Sequence, residues 1–134
     1  MNRKAFIFIL MAAFAILGLV SCASNKGVKN TVDWPGVYTG TIPAADGEGI
    51  NVSLKINKDN TFELKYDYIG KPDSAFTKTG SFKWNKTGDT IDLGLTKDST
   101  PSFYQVAEGK LTQLDMAGKP ITGDFADMYV LTKQ

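Results

Sequence analysis

Residues 50–68 read INVSLKINKDNTFELKYDY, and the alternation in this stretch decides the fold. Ile50, Val52, Leu54 and Ile56 alternate with Asn51, Ser53, Lys55 and Asn57. Phe62, Leu64, Tyr66 and Tyr68 alternate with Glu63, Lys65 and Asp67. A period of two sends one set of side chains to a core and the other to water, the pattern of a half-buried antiparallel strand. Lys58-Asp59-Asn60 lies between the runs and favours a turn. The stretch therefore predicts a β-hairpin.

The same pattern extends in both directions. Gly80, Phe82 and Trp84 alternate with Thr79, Ser81 and Lys83, and Asn85–Asp89 forms the next turn. Ile91, Leu93 and Leu95 alternate with Asp92, Gly94 and Thr96. Phe103–Val106 is a short strand joined through Glu108-Gly109 to another that starts at Lys110. There Leu111 and Leu114 are out of phase by one, which either a β-bulge or a short strand with one exposed Leu accounts for. Gly36–Ile42 and Met128–Leu131 complete about eight short strands. Short strands separated by turn signals mark an all-β sandwich or barrel, and closure into a barrel removes the exposed sheet edges. The inward candidates run from Tyr38 to Leu131 and include Leu54, Phe62, Tyr66, Phe82, Trp84 and Ile91. At about 2 kcal/mol each, their burial holds such a domain together without disulfide or metal.

The N-terminus has a different character. Met1-Asn2-Arg3-Lys4 is basic, and Ala5–Val20 is an uncharged apolar run too short for a spanning helix. This is the form of a secretory signal peptide. Leu19-Val20-Ser21-Cys22 resembles the bacterial lipobox, in which the Cys receives a diacylglycerol and becomes the first residue after cleavage. Residues 1–21 are thus expected to be a lipoprotein signal peptide. Residues 22–33 are expected to be the lipidated Cys22 and a flexible tether, and 34–134 the barrel. Several acyl chains on one Cys give a stable membrane anchor.

Composition removes several classes of function. The chain has 134 residues, no His and one Cys. Without His there is no Ser-His-Asp system and no His-ligated zinc. One Cys makes no internal disulfide and no CxxC pair. The formal charge is +1 over the whole chain. It falls to about −1 once Arg3 and Lys4 leave with the signal, which gives no reason to expect a nucleic-acid partner.

Longer pieces carry a family resemblance. They are Asp33-Trp34-x-Gly36-x-Tyr38-x-Gly40, Ile42-Pro43-x-Ala45-Asp46-x-Glu48-Gly49-Ile50 and Tyr68-x-Gly70-Lys71. Gly80-x-Phe82-x-Trp84, Leu114-Asp115-x-x-Gly118-Lys119-Pro120-Ile121-Thr122-Gly123 and Ala126-Asp127-x-Tyr129-Val130-Leu131-Thr132-Lys133 follow in order. The chain resembles the N-terminal domain family of NlpE, outer-membrane lipoproteins linked to copper resistance and envelope-stress signalling. The resemblance implies a small lipocalin-like antiparallel β-barrel and an envelope signalling protein as partner. The family commonly carries CxxC in the loop after the first strand, where this chain has Ala44 and Gly47. The soft thiolates that would hold Cu(I) are therefore missing. The second, C-terminal barrel domain of longer members is also expected to be absent.

The remaining metal candidates are Met116, Met128, Asp46, Glu48, Asp124 and Asp127, a poor donor set for copper. Asp124 and Asp127 are the carboxylate pair that an enzymatic reading would need, with nothing to place them across a cleft. The expectation is a non-catalytic, lipid-anchored barrel without cofactor or metal, held in the cell envelope at the outer membrane. Ala23, after the lipidated Cys, is not an acidic inner-membrane retention signal. The alternatives are a lipocalin-type carrier of a small apolar ligand and a periplasmic hydrolase inhibitor.

Overall fold

The computed structural model describes residues 27–45 and 47–134. The signal peptide, Cys22 and Asp46 lie outside the described residues. Among the described residues nine antiparallel strands follow one another: β1 (Gly36–Ile42), β2 (Ile50–Ile56), β3 (Thr61–Tyr68), β4 (Phe76–Ser81), β5 (Lys83–Trp84), β6 (Thr90–Asp92), β7 (Phe103–Ala107), β8 (Lys110–Gln113) and β9 (Val130–Lys133). They form one sheet in the order β4-β3-β2-β1-β9-β8-β7-β6-β5. The two edges, β4 and β5, are consecutive in the chain, so the sheet curls into a nearly closed barrel.

The hairpin of residues 50–68 has the expected register, with Ile50 opposite Tyr68, Leu54 opposite Leu64 and Ile56 opposite Phe62. Its turn is held by Asp59, which accepts hydrogen bonds from the Thr61 hydroxyl at 2.6 Å and the Thr61 N–H at 3.1 Å. Those bonds favour the charged form and hold the Asp59 carboxyl below its usual range.

The ninth strand arises because the run 79–84 breaks at Phe82. Its N–H still donates to the carbonyl of Asn60, opposite it in the β3–β4 register, at 2.8 Å; its ring enters the core, and beyond it Lys83 and Trp84 pair with β6 instead. Lys78 on β4 reaches Asp98, in the 3-10 turn Thr96–Asp98, at 3.1 Å. An edge strand carrying Lys and Thr is protected from pairing with other chains.

Every inward candidate named above is buried except Trp84, which is half-buried. Trp34, Leu95, Tyr104, Val106 and Leu111 join the same core. The phase break near residue 114 resolves by the strand ending. Leu111 and Gln113 point inward from β8, and Leu114 is buried just beyond it, in a bridge to Pro120. The last strand starts later than expected. Met128 belongs to a 3-10 turn, Ala126–Tyr129, and is exposed.

The expected tether, 22–33, enters the described residues at Gly27 and is not loose from there. Val28 and Val32 pack on the core around a 3-10 turn, Val28–Asn30. The Lys29 N–H donates to the carbonyl of Gly88 at 2.9 Å. Gly27 takes φ 72, and a Cβ there would run into the carbonyl of Thr87. Only glycine fits this approach.

Candidate functional site

The register sorts the connections onto two ends. Residues 57–60, 85–89 and 108–109 are tight turns at one end, where the docked segment 27–35 also lies. The other end carries four longer connections, 43–49, 69–75, 93–102 and 114–129.

The short-turn end is closed by aromatic rings. Trp34 meets Phe82 edge-on at 5.9 Å and Trp84 at 5.2 Å, and Phe82 lies 6.0 Å from Trp84. The Trp34 indole N–H donates to the carbonyl of Lys29 at 3.1 Å, which ties the plug to the docked segment. The Tyr38 hydroxyl donates to the carbonyl of Trp34 at 2.8 Å. Burial, helped by Asp33 and Glu108, pushes the Tyr38 phenol up to about 12. In the adjoining turn Asp89 accepts hydrogen bonds from Asn85, Thr87 and Thr90, which keep its carboxyl below the usual range.

Toward the long-loop end the lumen holds a second ring cluster. Tyr66 lies 4.8 Å from Phe76 and 6.2 Å from Tyr68. Tyr66 and Tyr104 are both buried, and neither hydroxyl has a hydrogen-bond partner. The two phenols face each other closely enough to act on each other's ionisation, which lowers the Tyr66 value and raises that of Tyr104, but without the geometry of a formed hydrogen bond. Burial pushes Tyr66 up to about 12 and Tyr104 well above the ordinary tyrosine value. Two buried hydroxyls without partners form a polar node in an otherwise apolar interior, and each costs about 1–3 kcal/mol of desolvation. Nearby, Ser102 is buried and satisfied. It donates to Asp92 and accepts from the Leu95 N–H, both at 2.8 Å.

The candidate ligands from the sequence do not converge. Ala44 is half-buried against the core and Gly47 is exposed, and neither side chain offers a donor atom. Met116 and Met128 are each 46% exposed and lie in separate turns. Glu48, Asp124 and Asp127 are exposed in the long loops. Among the described residues no three His, Cys, Asp or Glu come together as a metal site. These residues do not fit the copper centre that the family's CxxC would build.

Sequence reasoning missed the Tyr66–Tyr104 node and the exposed ring of Phe125. Tyr104 lay in a run too short to assign its phase. Phe125, 62% exposed, begins the turn that carries Met128. Two open grooves mark the outer wall. One of about 400 Å³ runs over Thr39, Thr41, Asn51, Ser53, Lys65 and Asp67. One of about 210 Å³ lies beside Trp84, Asp92 and Phe103.

Known proteins share this barrel. The family model described as NlpE N-terminal domain matches residues 38–124. The chain belongs to this family. Lipoprotein NlpE of Escherichia coli is 30% identical over 93% of the chain. The chain spans 56% of the length of that curated relative. The crystal structure of that protein, described as the Cpx pathway activator NlpE, superposes with a TM-score of 0.54 at 30% identity. That superposition covers 69% of this chain and 48% of the other. A crystal structure described as a candidate lipoprotein from Shewanella oneidensis matches more fully. Its TM-score is 0.74 at 43% identity, over 82% of this chain and 97% of that one. The relatives carry the name of a lipoprotein family, not of an enzyme family.

Proposed function

We propose that this protein is a non-catalytic envelope lipoprotein, acylated at Cys22, that acts in envelope-stress sensing through a protein partner. Family membership carries the reading. The distribution of side chains supports it. The lumen is packed with rings and aliphatic groups, while Phe125, Met116 and Met128 are exposed in the long loops. Interaction through loops on a rigid scaffold suits that arrangement. The outer membrane is the proposed site of anchorage. Replacing Cys22 with Ser tests the anchor. The variant should lose its lipid label and stay in the soluble fraction, and an unmodified thiol on Cys22 in the native protein would refute the reading.

Copper does not enter the proposed mechanism, because Ala44 and Gly47 supply no thiolate and the two thioethers are apart in the chain and exposed. Titration of the domain with Cu(I) held by a competing chelator should show no nanomolar complex.

A further inference from the structure

The docked segment has a consequence for how the barrel stands on a membrane. Val28 packs on the core at the short-turn end, next to Lys29, whose N–H donates to the Gly88 carbonyl and whose ammonium lies over the Trp84 ring. Only residues 23–27 separate it from Cys22. Six extended residue steps span at most about 20 Å. If Cys22 holds acyl chains in a bilayer, the short-turn end is bound to lie close to the lipid surface. The docking is specific, because Gly27 passes so close to Thr87 that no side chain fits.

Charge separates the ends in the same sense. At the short-turn end, the turns and the strand residues beside them carry Lys29, Lys58, Lys86, Lys110 and Lys133, in near balance with Asp33, Asp59, Asp89 and Glu108. Asp33 lies 3.4 Å from Lys133, and Asp59 and Asp89 are held inside their turns by hydrogen bonds. Among the described residues, the loops of the other end carry six carboxylates, Glu48, Asp73, Asp98, Asp115, Asp124 and Asp127, against Lys71, Lys97, Lys119 and Lys78, which pairs with Asp98 at 3.1 Å. An anionic surface repels the second end and not the first. Such forces act within about a Debye length, some 8–10 Å at ordinary salt.

We propose that the short-turn end faces an anionic lipid surface and that the four long loops, with Phe125 and Met128, point away from it toward a partner. This rests on the acylation of Cys22 proposed above. The docked segment replaces a free swivel with a short leash, so the loop end is presented outward instead of sampling all directions.

The test uses the mature acylated protein in vesicles of phosphatidylethanolamine and phosphatidylglycerol. The sulfur of Cys22 is blocked by its lipid, so one introduced cysteine takes a fluorophore. Thr87→Cys reports on the short-turn end and Thr122→Cys on the long-loop end. Quenching by nitroxide on the lipid headgroups should be at least threefold stronger at position 87. In Gly27→Val, which undocks the leash, the ratio should fall toward one while the far-ultraviolet circular dichroism of the barrel is kept. Equal quenching at the two positions in the unaltered leash, or stronger quenching at 122, would overturn the orientation. Flotation with the vesicles is read separately. Protein that fails to float would remove the lipoprotein reading and the orientation with it, whereas protein that floats with equal quenching loses the orientation alone.

Discussion

The two ends of this barrel bury aromatic side chains to opposite effect. At the short-turn end Trp34, Phe82 and Trp84 stack edge-on, and the polar atoms of Trp34 and Tyr38 find carbonyl partners. Toward the long-loop end Tyr66 and Tyr104 are buried as deeply, yet their hydroxyls are unpaired. The first end is built for stability. The second carries a polar cost in its interior and exposed apolar groups on its loops, as expected where function takes precedence over packing. Trp84 spans the contrast, since its ring is in the plug but its own N–H is unpartnered.

The largest effect should come from the plug. Trp34→Ala removes a buried ring, its hydrogen bond to Lys29 and its contacts with Phe82 and Trp84. A loss of about 3–5 kcal/mol is expected in denaturant unfolding. A loss below about 1 kcal/mol would mean that the ring is not part of the core.

Alkaline titration should follow in size. Tyr38 and Tyr66 are raised to about 12, and burial raises Tyr104 well above the ordinary tyrosine value. The unfolded phenols ionise near 10. The folded state favours the neutral form, so this contribution to stability is complete below about pH 10. It is lost as pH climbs through the folded values. Unfolding midpoints measured from pH 8 to 12 should hold steady and then drop above about 10. A flat profile to pH 12 would contradict the burial of all three.

Single hydroxyl deletions sharpen the comparison most directly. Tyr38→Phe leaves the Trp34 carbonyl without its donor and should cost about 1–2 kcal/mol. Tyr66→Phe and Tyr104→Phe remove groups that have no partner, and should be neutral or stabilising by up to about 1 kcal/mol. A comparable loss at all three positions, measured by urea unfolding, would show that the Tyr66–Tyr104 node is satisfied and that the ends do not differ.

The smallest stability effect is expected on the loops. Phe125→Ser and Met128→Ser should change stability by less than about 0.5 kcal/mol, since both side chains are exposed. The same variants should weaken envelope-stress signalling in cells that depend on this protein. Unchanged signalling at equal protein level would move the partner surface away from this turn.

Much of this was legible in the sequence because a strand's period of two is local. The hairpin of residues 50–68 shows its register, its inward face and its turn without reference to the rest of the chain. The break at Phe82 was not legible, because the residue keeps perfect alternation. What changes there is the partner, from β3 before Phe82 to β6 after it, and that depends on how the sheet closes. The docked segment was equally hidden. Residues 27–32 lack periodicity, and Val28 and Val32 find a place only on a core assembled from distant strands.

The chain by itself determined the strand pattern, the Lys58–Asn60 and Asn85–Asp89 turns, the single Cys22 in a lipobox-like setting and the loss of thiols at Ala44 and Gly47. Each depends on residue type and near neighbours alone. Only the tertiary structure decided which tyrosine hydroxyls are paired, which end the leash is fixed to and where the six carboxylates of the described long loops collect. Those are consequences of closure. Curling the sheet brings Tyr66 on β3 toward Tyr104 on β7, which are 38 residues apart in the chain, and sorts every short turn to one end. No local pattern encodes that pairing, because it depends on how the whole sheet bends back on itself.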